Sequence, residues 1–170
     1  MEALSSEATK GLAEEADKYI ATLSASATYK SSSYTIAKAT IVEEIEKGFK
    51  VLYENNCKVS DSFYLEVSPK FFTYLRPAMT ELSTNNPDLI KKGAVGKYGN
   101  AEVYIENNLY NDNTDDWCLL RTSKAIAFAG QINKVEAFRP DDAFSDAVKG
   151  LYVFGAKIVR PEQLYAIKAH

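Results

Sequence analysis

The stretch VKGLYVFGAKIVRPEQLYAI, residues 148–167, is apolar almost throughout, around a glycine at 155, until Arg160-Pro161 interrupts it. Along an extended chain Leu151, Val153 and Gly155 face one way and Tyr152, Phe154 and Ala156 the other. Both sides are therefore apolar, and both need cover. At about 3.3 Å per residue, Gly150 to Arg160 spans roughly 35 Å, about twice a typical strand. Gly155 is a natural place for a bend or bulge, and Pro161, which has no amide donor, ends the ladder. A small independent domain has little use for such a strand.

Working outward, Leu4, Ala8, Leu12, Ala16, Ile20 and Leu23 recur at helical spacing, with Glu14, Glu15, Asp17 and Lys18 on the other face. Ser24 to Ser33 has the small polar composition of a linker. A second helical stripe follows at Ile41, Ile45, Phe49 and Leu52, with Val42 beside it. Glu43 with Lys47 and Glu46 with Lys50 are spaced as supporting ion pairs. Gly48 costs this helix about 1 kcal/mol relative to alanine, and Asn55-Asn56 ends it. In DSFYLEVSPKFFTYL, residues 61–75, Phe63, Leu65 and Val67 alternate with Tyr64 and Glu66 as a half-buried strand does. Ser68 is then an N-cap and Pro69 the first residue of a helix whose apolar face is Phe71, Phe72 and Leu75. Pro77 ends or kinks that helix. After the polar loop STNNPDLIKKG, residues 83–93, strands are expected over Ala101 to Glu106 and Trp117 to Leu120, across a polar tip. From Lys124 come AIAFAGQINKVEAF, an acidic turn or short helix at Arg139 to Ala147, and the opening strand. Helices and strands without regular alternation give an α+β fold.

With 170 residues, 46% of them apolar and 25% charged, the chain is an ordinary globular protein of one or two domains. A formal charge of −3 without a Lys/Arg run gives no basic footprint for a phosphate backbone, so no specific nucleic-acid partner is expected. Cys57 and Cys118 lie far apart with His170 as the one imidazole, too little for a zinc site, and read as reduced thiols. The N-terminal residues carry no signal-peptide pattern, and no apolar run approaches the roughly 20 residues that span a bilayer, so no membrane partner is expected.

The candidate sites are weak. Gly93, Gly96 and Gly99 resemble a phosphate-cradling loop, but a strand pattern follows where a helix N-terminus belongs, and turn glycines explain them better. Asn111 to Asp116, NDNTDD, alternates oxygen ligands as calcium loops do, yet Asp116 stands where the sharp turn wants glycine and Thr122 where a bidentate glutamate belongs. A solvated hairpin tip is the better reading. The neighbouring carboxylates Glu14-Glu15, Glu43-Glu44, Asp115-Asp116 and Asp141-Asp142 point apart on either a helix or a strand, and so make poor acid–base pairs. His170, expected to be frayed, offers no base for a nucleophile. No catalytic, metal-binding or cofactor residue is assigned, and no cofactor is expected. The eleven tyrosines are spread along the chain and are expected to pack.

In series, FYLEVSPKFFTYL, then KKGAVGKYGNAEVYIENNL, then KAIAFAGQINKVEAFRPDDAFSDAVKGLYVFGAKIVRPEQL resembles the major capsid proteins of tailed bacteriophages with the HK97 fold. The residues carrying the resemblance are Ser68 and Pro69, Gly96 and Gly99 with Asn107-Asn108-Leu109, and Gly150, Tyr152, Phe154, Gly155, Arg160 and Pro161. No single motif is diagnostic; their order over about residues 40 to 168 makes the case. The resemblance implies a P-domain spine-helix segment and linker at 1–30, an A-domain at 31–120 and long P-domain strands at 121–170. In that family an N-terminal arm and an extended E-loop precede the spine helix, and no room for them exists ahead of Leu4, so a fragment of a capsid or prophage protein is expected.

The implied function is structural: a non-enzymatic coat subunit that self-assembles through hexamers and pentamers into an icosahedral head enclosing DNA. It would be made in the bacterial host cytoplasm and end in the virion. Implied partners are copies of itself, with scaffolding or portal proteins, while the fragment alone is a monomer or weak oligomer. One alternative is an encapsulin-like nanocompartment shell of the same fold. Another is a metal-assisted hydrolase using Asp112, Asp115 and Asp116.

Overall fold

The structure is a computed structural model and describes residues 2–79, 95–138 and 147–170. Helix α1 is Glu2–Thr22, followed by a 3-10 turn at Leu23–Ser26 and strand β1, Tyr29–Lys30. Next come α2 (Lys38–Glu54), β2 (Phe63–Val67) and α3 (Pro69–Met79). Strands β3 (Gly96–Tyr98), β4 (Ala101–Ile105), β5 (Asp116–Thr122), β6 (Ile126–Phe138), β7 (Ala147–Ile158) and β8 (Leu164–Ala169) complete the described residues. The polar loop 83–93 with Gly93, and the acidic segment 139–146, lie outside them.

Six strands form one mixed sheet in the order β1-β8-β5-β2-β4-β3, and β6 with β7 forms a separate two-stranded sheet. The α+β class is thus the one observed. The stretch 148–167 is not one strand. Arg160-Pro161 stops the ladder as expected, but a 3-10 turn at Pro161–Gln163 redirects the chain into β8, which enters the large sheet. Gly155 bends nothing: it sits in register opposite Ala129, and the irregularity falls between Ile132 and Lys134 on the partner strand. The expected boundaries at 31 and 121 also cut across strand pairing, because β1 and β8 share the sheet with β2 to β5.

Alternation decides which face of the sheet is core. Phe63, Leu65 and Val67 on β2, Ala101 and Val103 on β4, Cys118 and Leu120 on β5, and Tyr165 and Ile167 on β8 join Ile41, Ile45, Phe49 and Leu52 of α2 and Phe71 and Leu75 of α3 in one cluster. Each large side chain buried there contributes about 1.5–3 kcal/mol. Phe49 meets Phe63 edge-on at 5.7 Å. The helix starts follow the sequence. The Phe71 amide donates to Ser68 Oγ at 3.2 Å, and the Ala37 amide donates to Thr40 Oγ1 at 3.1 Å, one half of a capping box. Asn55 caps α2, and Asn56 takes a left-handed φ of 63°. Pro77 does not end α3, which runs on to Met79.

Three local expectations fail for identifiable reasons. The serine-rich stretch is no linker: the Ser31 amide donates to the Ala166 carbonyl at 2.9 Å, and the Lys168 amide donates to Ser31 Oγ at 2.8 Å. Ser31 thus extends the parallel pairing of β1 with β8. Lys47 does pair with Glu43, at 3.0 Å, and with Glu44, at 2.7 Å. Lys50 turns instead to Glu54 at 3.7 Å, while Glu46 accepts from the Tyr98 hydroxyl at 3.0 Å. Of the three glycines, Gly99 has the positive φ, 54°, of a turn residue between β3 and β4, whereas Gly96 is in β3. Cys57 and Cys118 are buried free thiols. Burial pushes the Cys118 thiol up to about 12, so it stays protonated.

Gly48 is where helix propensity and packing conflict. A Cβ there would lie 2.9 Å from the Tyr165 ring and 3.0 Å from Leu120 Cδ2, so glycine lets α2 settle onto β5 and β8. Gly48→Ala gains about 1 kcal/mol of helix propensity but overpacks the core. Overpacking costs about 1–3 kcal/mol, so a net loss of up to about 2 kcal/mol is expected in urea unfolding, whereas a gain would show that the contact is not tight.

Candidate interaction surface

The register of β6 against β7 sorts the hairpin into two faces. Ile126, Phe128 and Gly130 stand opposite Ile158, Ala156 and Phe154, while Ala127, Ala129 and Gln131 stand opposite Lys157, Gly155 and Val153. On the first face Phe154 touches Phe128 at 6.3 Å and Tyr152 at 5.3 Å, and Tyr19 of α1 meets it edge-on at 5.6 Å. The second face carries Leu151 and Val153 at 55% and 50% exposure. Sequence alternation identified these two sides and their need for cover; one is covered in part by α1, and among the described residues nothing packs on the other. A contiguous exposed apolar patch on an extended sheet marks an interaction surface more often than a solvent face.

Clamped at its base, the hairpin is presented rigidly. Val159 and Arg160 amides both donate to the Ala125 carbonyl, at 3.0 and 3.2 Å, and Thr122 Oγ1 donates to Gln163 Oε1 at 2.7 Å. A small second core of Ala27, Trp117, Leu119, Ala125, Leu164 and Ala166 fills the corner where hairpin and sheet meet.

The acidic tip is satisfied from within. Asp112 Oδ1 accepts from the Thr114 and Asp115 amides at 3.1 and 2.8 Å, and its Oδ2 accepts from Trp117 Nε1 at 3.1 Å. Asp116 accepts from Asn111 Nδ2 at 2.7 Å. Asp115 points elsewhere: it is buried and accepts from the Ser33 hydroxyl at 2.7 Å, with His170 Nδ1 at 3.0 Å. The structure therefore does not bring Asp112, Asp115 and Asp116 into one ligand set. Among the described residues no three His, Cys, Asp or Glu side chains form a metal-binding group. Glu43 and Glu44 share Lys47, Glu15 holds Lys18 at 2.7 Å, and Asp141-Asp142 lie outside the described residues.

His170 is not frayed. Its amide donates to the Tyr34 carbonyl at 3.1 Å and its carbonyl accepts from the Ile36 amide at 3.0 Å. The carboxylate at Nδ1 requires the proton there, so in the neutral ring Nε2 accepts from the Thr35 hydroxyl at 2.9 Å. Sequence reasoning missed this cluster because its members sit at 33, 35, 115 and 170, with no local spacing to link them. It ties the segment after β1 to the end of β8 and the start of β5.

Backbone donors to Asp112, first from Asp115, hold its carboxyl below the usual 3.8, with the Trp117 contact adding to the effect. A depressed carboxyl stabilises the fold above its unfolded value, and that contribution disappears as pH falls through the native one. Asp112→Ala is expected to lower Tm at neutral pH, with the gap to wild type closing in acid below the usual carboxylate range. Millimolar calcium should leave the wild-type Tm unmoved, since a ligand of the native state would raise it.

No protein-family model matches the sequence, and no curated protein does. Solved structures do. A structure from Mycobacterium phage Che8 is similar at TM-score 0.78 and 24% identity, over 98% of this chain and 62% of that one. The capsid structure of cyanophage P-SCSP1u is similar at TM-score 0.70 and 16% identity, over 100% and 66%. A virus-like particle from Pyrococcus furiosus is similar at 0.55 and 13%, over 92% and 63%. The chain spans less than two thirds of the length of each of these. Among the described residues no helix is long and apolar enough to cross a membrane. The fold is the phage-capsid fold that the sequence resemblance implied.

Proposed function

We propose that the chain is the greater part of a major capsid protein, a structural coat subunit that self-assembles into an icosahedral phage head enclosing DNA. The observation that carries this reading is the superposition of nearly the whole chain on phage structures, one of them a capsid, at TM-scores of 0.78 and 0.70. In this reading the A-domain is the six-stranded sheet with α2 and α3, and the P-domain is α1 with the hairpin β6–β7. That division moves β1 and β8 to the A-domain side of the expected boundaries. The partners are copies of the same chain, with scaffolding or portal proteins during assembly. The subunit is made in the bacterial host cytoplasm and resides in the virion. No enzymatic step is assigned to it.

The uncovered hairpin face supports the reading physically. Many modest apolar contacts, repeated by symmetry, add up to a stable shell without one tight interface. A net charge of −3 suits a wall that faces packaged DNA without gripping it. A nanocompartment shell enclosing enzyme cargo is the second reading. The virus-like particle keeps it in view, and its lower TM-score of 0.55 places it behind the phage reading.

Two experiments test the proposal. The 170-residue chain alone should scatter light as a monomer or weak oligomer, and the full-length parent reading frame should give closed shells in negative stain. In that parent, Val153→Glu is expected to abolish shells while leaving subunit stability within about 0.5 kcal/mol, as for other exposed positions. Shells of normal yield from the variant would remove the hairpin face from assembly.

A further inference from the structure

Where α1 approaches the six-stranded sheet, a cavity of about 130 Å³ is lined by Asp17 and Ile20 of α1, Glu66 of β2, Glu106 and Leu109 just beyond β4, and Arg121 of β5. Three separate elements each bring a carboxylate to it. Arg121 is the one cation among the described lining residues, and it is already engaged: its Nε donates to Glu66 Oε1 at 3.0 Å, Nη2 donates to the same oxygen, and the guanidinium lies 5.7 Å over the Tyr64 ring. Glu102, farther along β4 and opposite Lys97 of β3, accepts from the Tyr104 hydroxyl at 3.1 Å. Asp17, which is exposed, and the half-buried Glu106 thus line the same cavity, and no described cation pairs with either.

We propose that this junction is an acid-tightened joint, in which a proton taken up at Glu106 relieves its repulsion with Asp17 and Glu66 and lets α1 close onto the sheet. The inference goes beyond the shell reading and does not depend on it. Burial raises the Glu106 carboxyl above its ordinary 4.5, and the charges of Glu66 and then Asp17 raise it further. An acid with a raised native value binds more protons folded than unfolded, so its contribution to stability grows as pH falls from that value toward 4.5.

The test uses the 170-residue chain with spin labels on cysteines introduced at the exposed positions Ala13 and Asn107, the native thiols being buried. The inter-label distance is expected to shorten between about pH 7.5 and about pH 5. Glu106→Gln should hold the short distance at both pH values and melt about 2–4 °C higher than wild type at the upper one. Asp17→Asn should reduce the pH response without abolishing it. A wild-type distance that does not change with pH, or a Glu106→Gln chain that responds as wild type does, overturns the proposal.

Discussion

Strand β8 holds the molecule together. It lies between β1 and β5, bonded in parallel to one and antiparallel to the other over six paired positions, from Asp116↔Ala169 to Arg121↔Leu164. Its Tyr165, Ile167 and Ala169 face the main core, and its Leu164 and Ala166 face the second core at the hairpin base. Removing this strand would leave β1 unpaired and take from α2 the Tyr165 ring that Gly48 allows it to approach. The segment 31–36, the acidic tip and His170 are all held at its far end.

The same pairing explains the hairpin. Since β5 and β8 are antiparallel neighbours, a chain that leaves the end of β5 and returns at the start of β8 comes back to where it departed. The excursion between them can be as long as β6 and β7 require without disturbing the sheet. The clamp at Ala125, Val159 and Arg160 closes its neck. Length that looked excessive for a core strand therefore belongs to an arm projecting from a finished domain, and an arm apolar on both faces has a covered side and a side for something else.

Local chemistry was legible in the sequence where the deciding residues are neighbours. The stripe Ile41, Ile45, Phe49 and Leu52, the alternation Phe63, Leu65 and Val67, and the Ser68-Pro69 start of α3 all form as read. The order of elements also sufficed for the fold class and for the capsid resemblance. What the sequence hid is long-range. Nothing within Ser24 to Ser33 says that two of its residues become a strand, because their partners Tyr165 and Ala166 lie more than a hundred positions away. Likewise Gly48 reads as a helix defect until Tyr165 is placed over it, and His170 as a loose end until Asp115 and Thr35 reach it. The acidic tip misleads in the opposite sense: adjacent in sequence, its carboxylates serve separate purposes in space.

The position of β8 in the sheet and its position in the chain are at odds, and this bears on synthesis. During translation β2, β4 and β5 emerge before the strand that joins β5 to β1 in their sheet, which is formed from residues 164–169. Until those are made, β5 presents an open edge and the apolar underside of α2 has no β8 to rest on. A domain generally folds as a unit, and this sheet must wait for β8. A nascent chain therefore cannot display the hairpin on a finished sheet until residues 164–169 have been made.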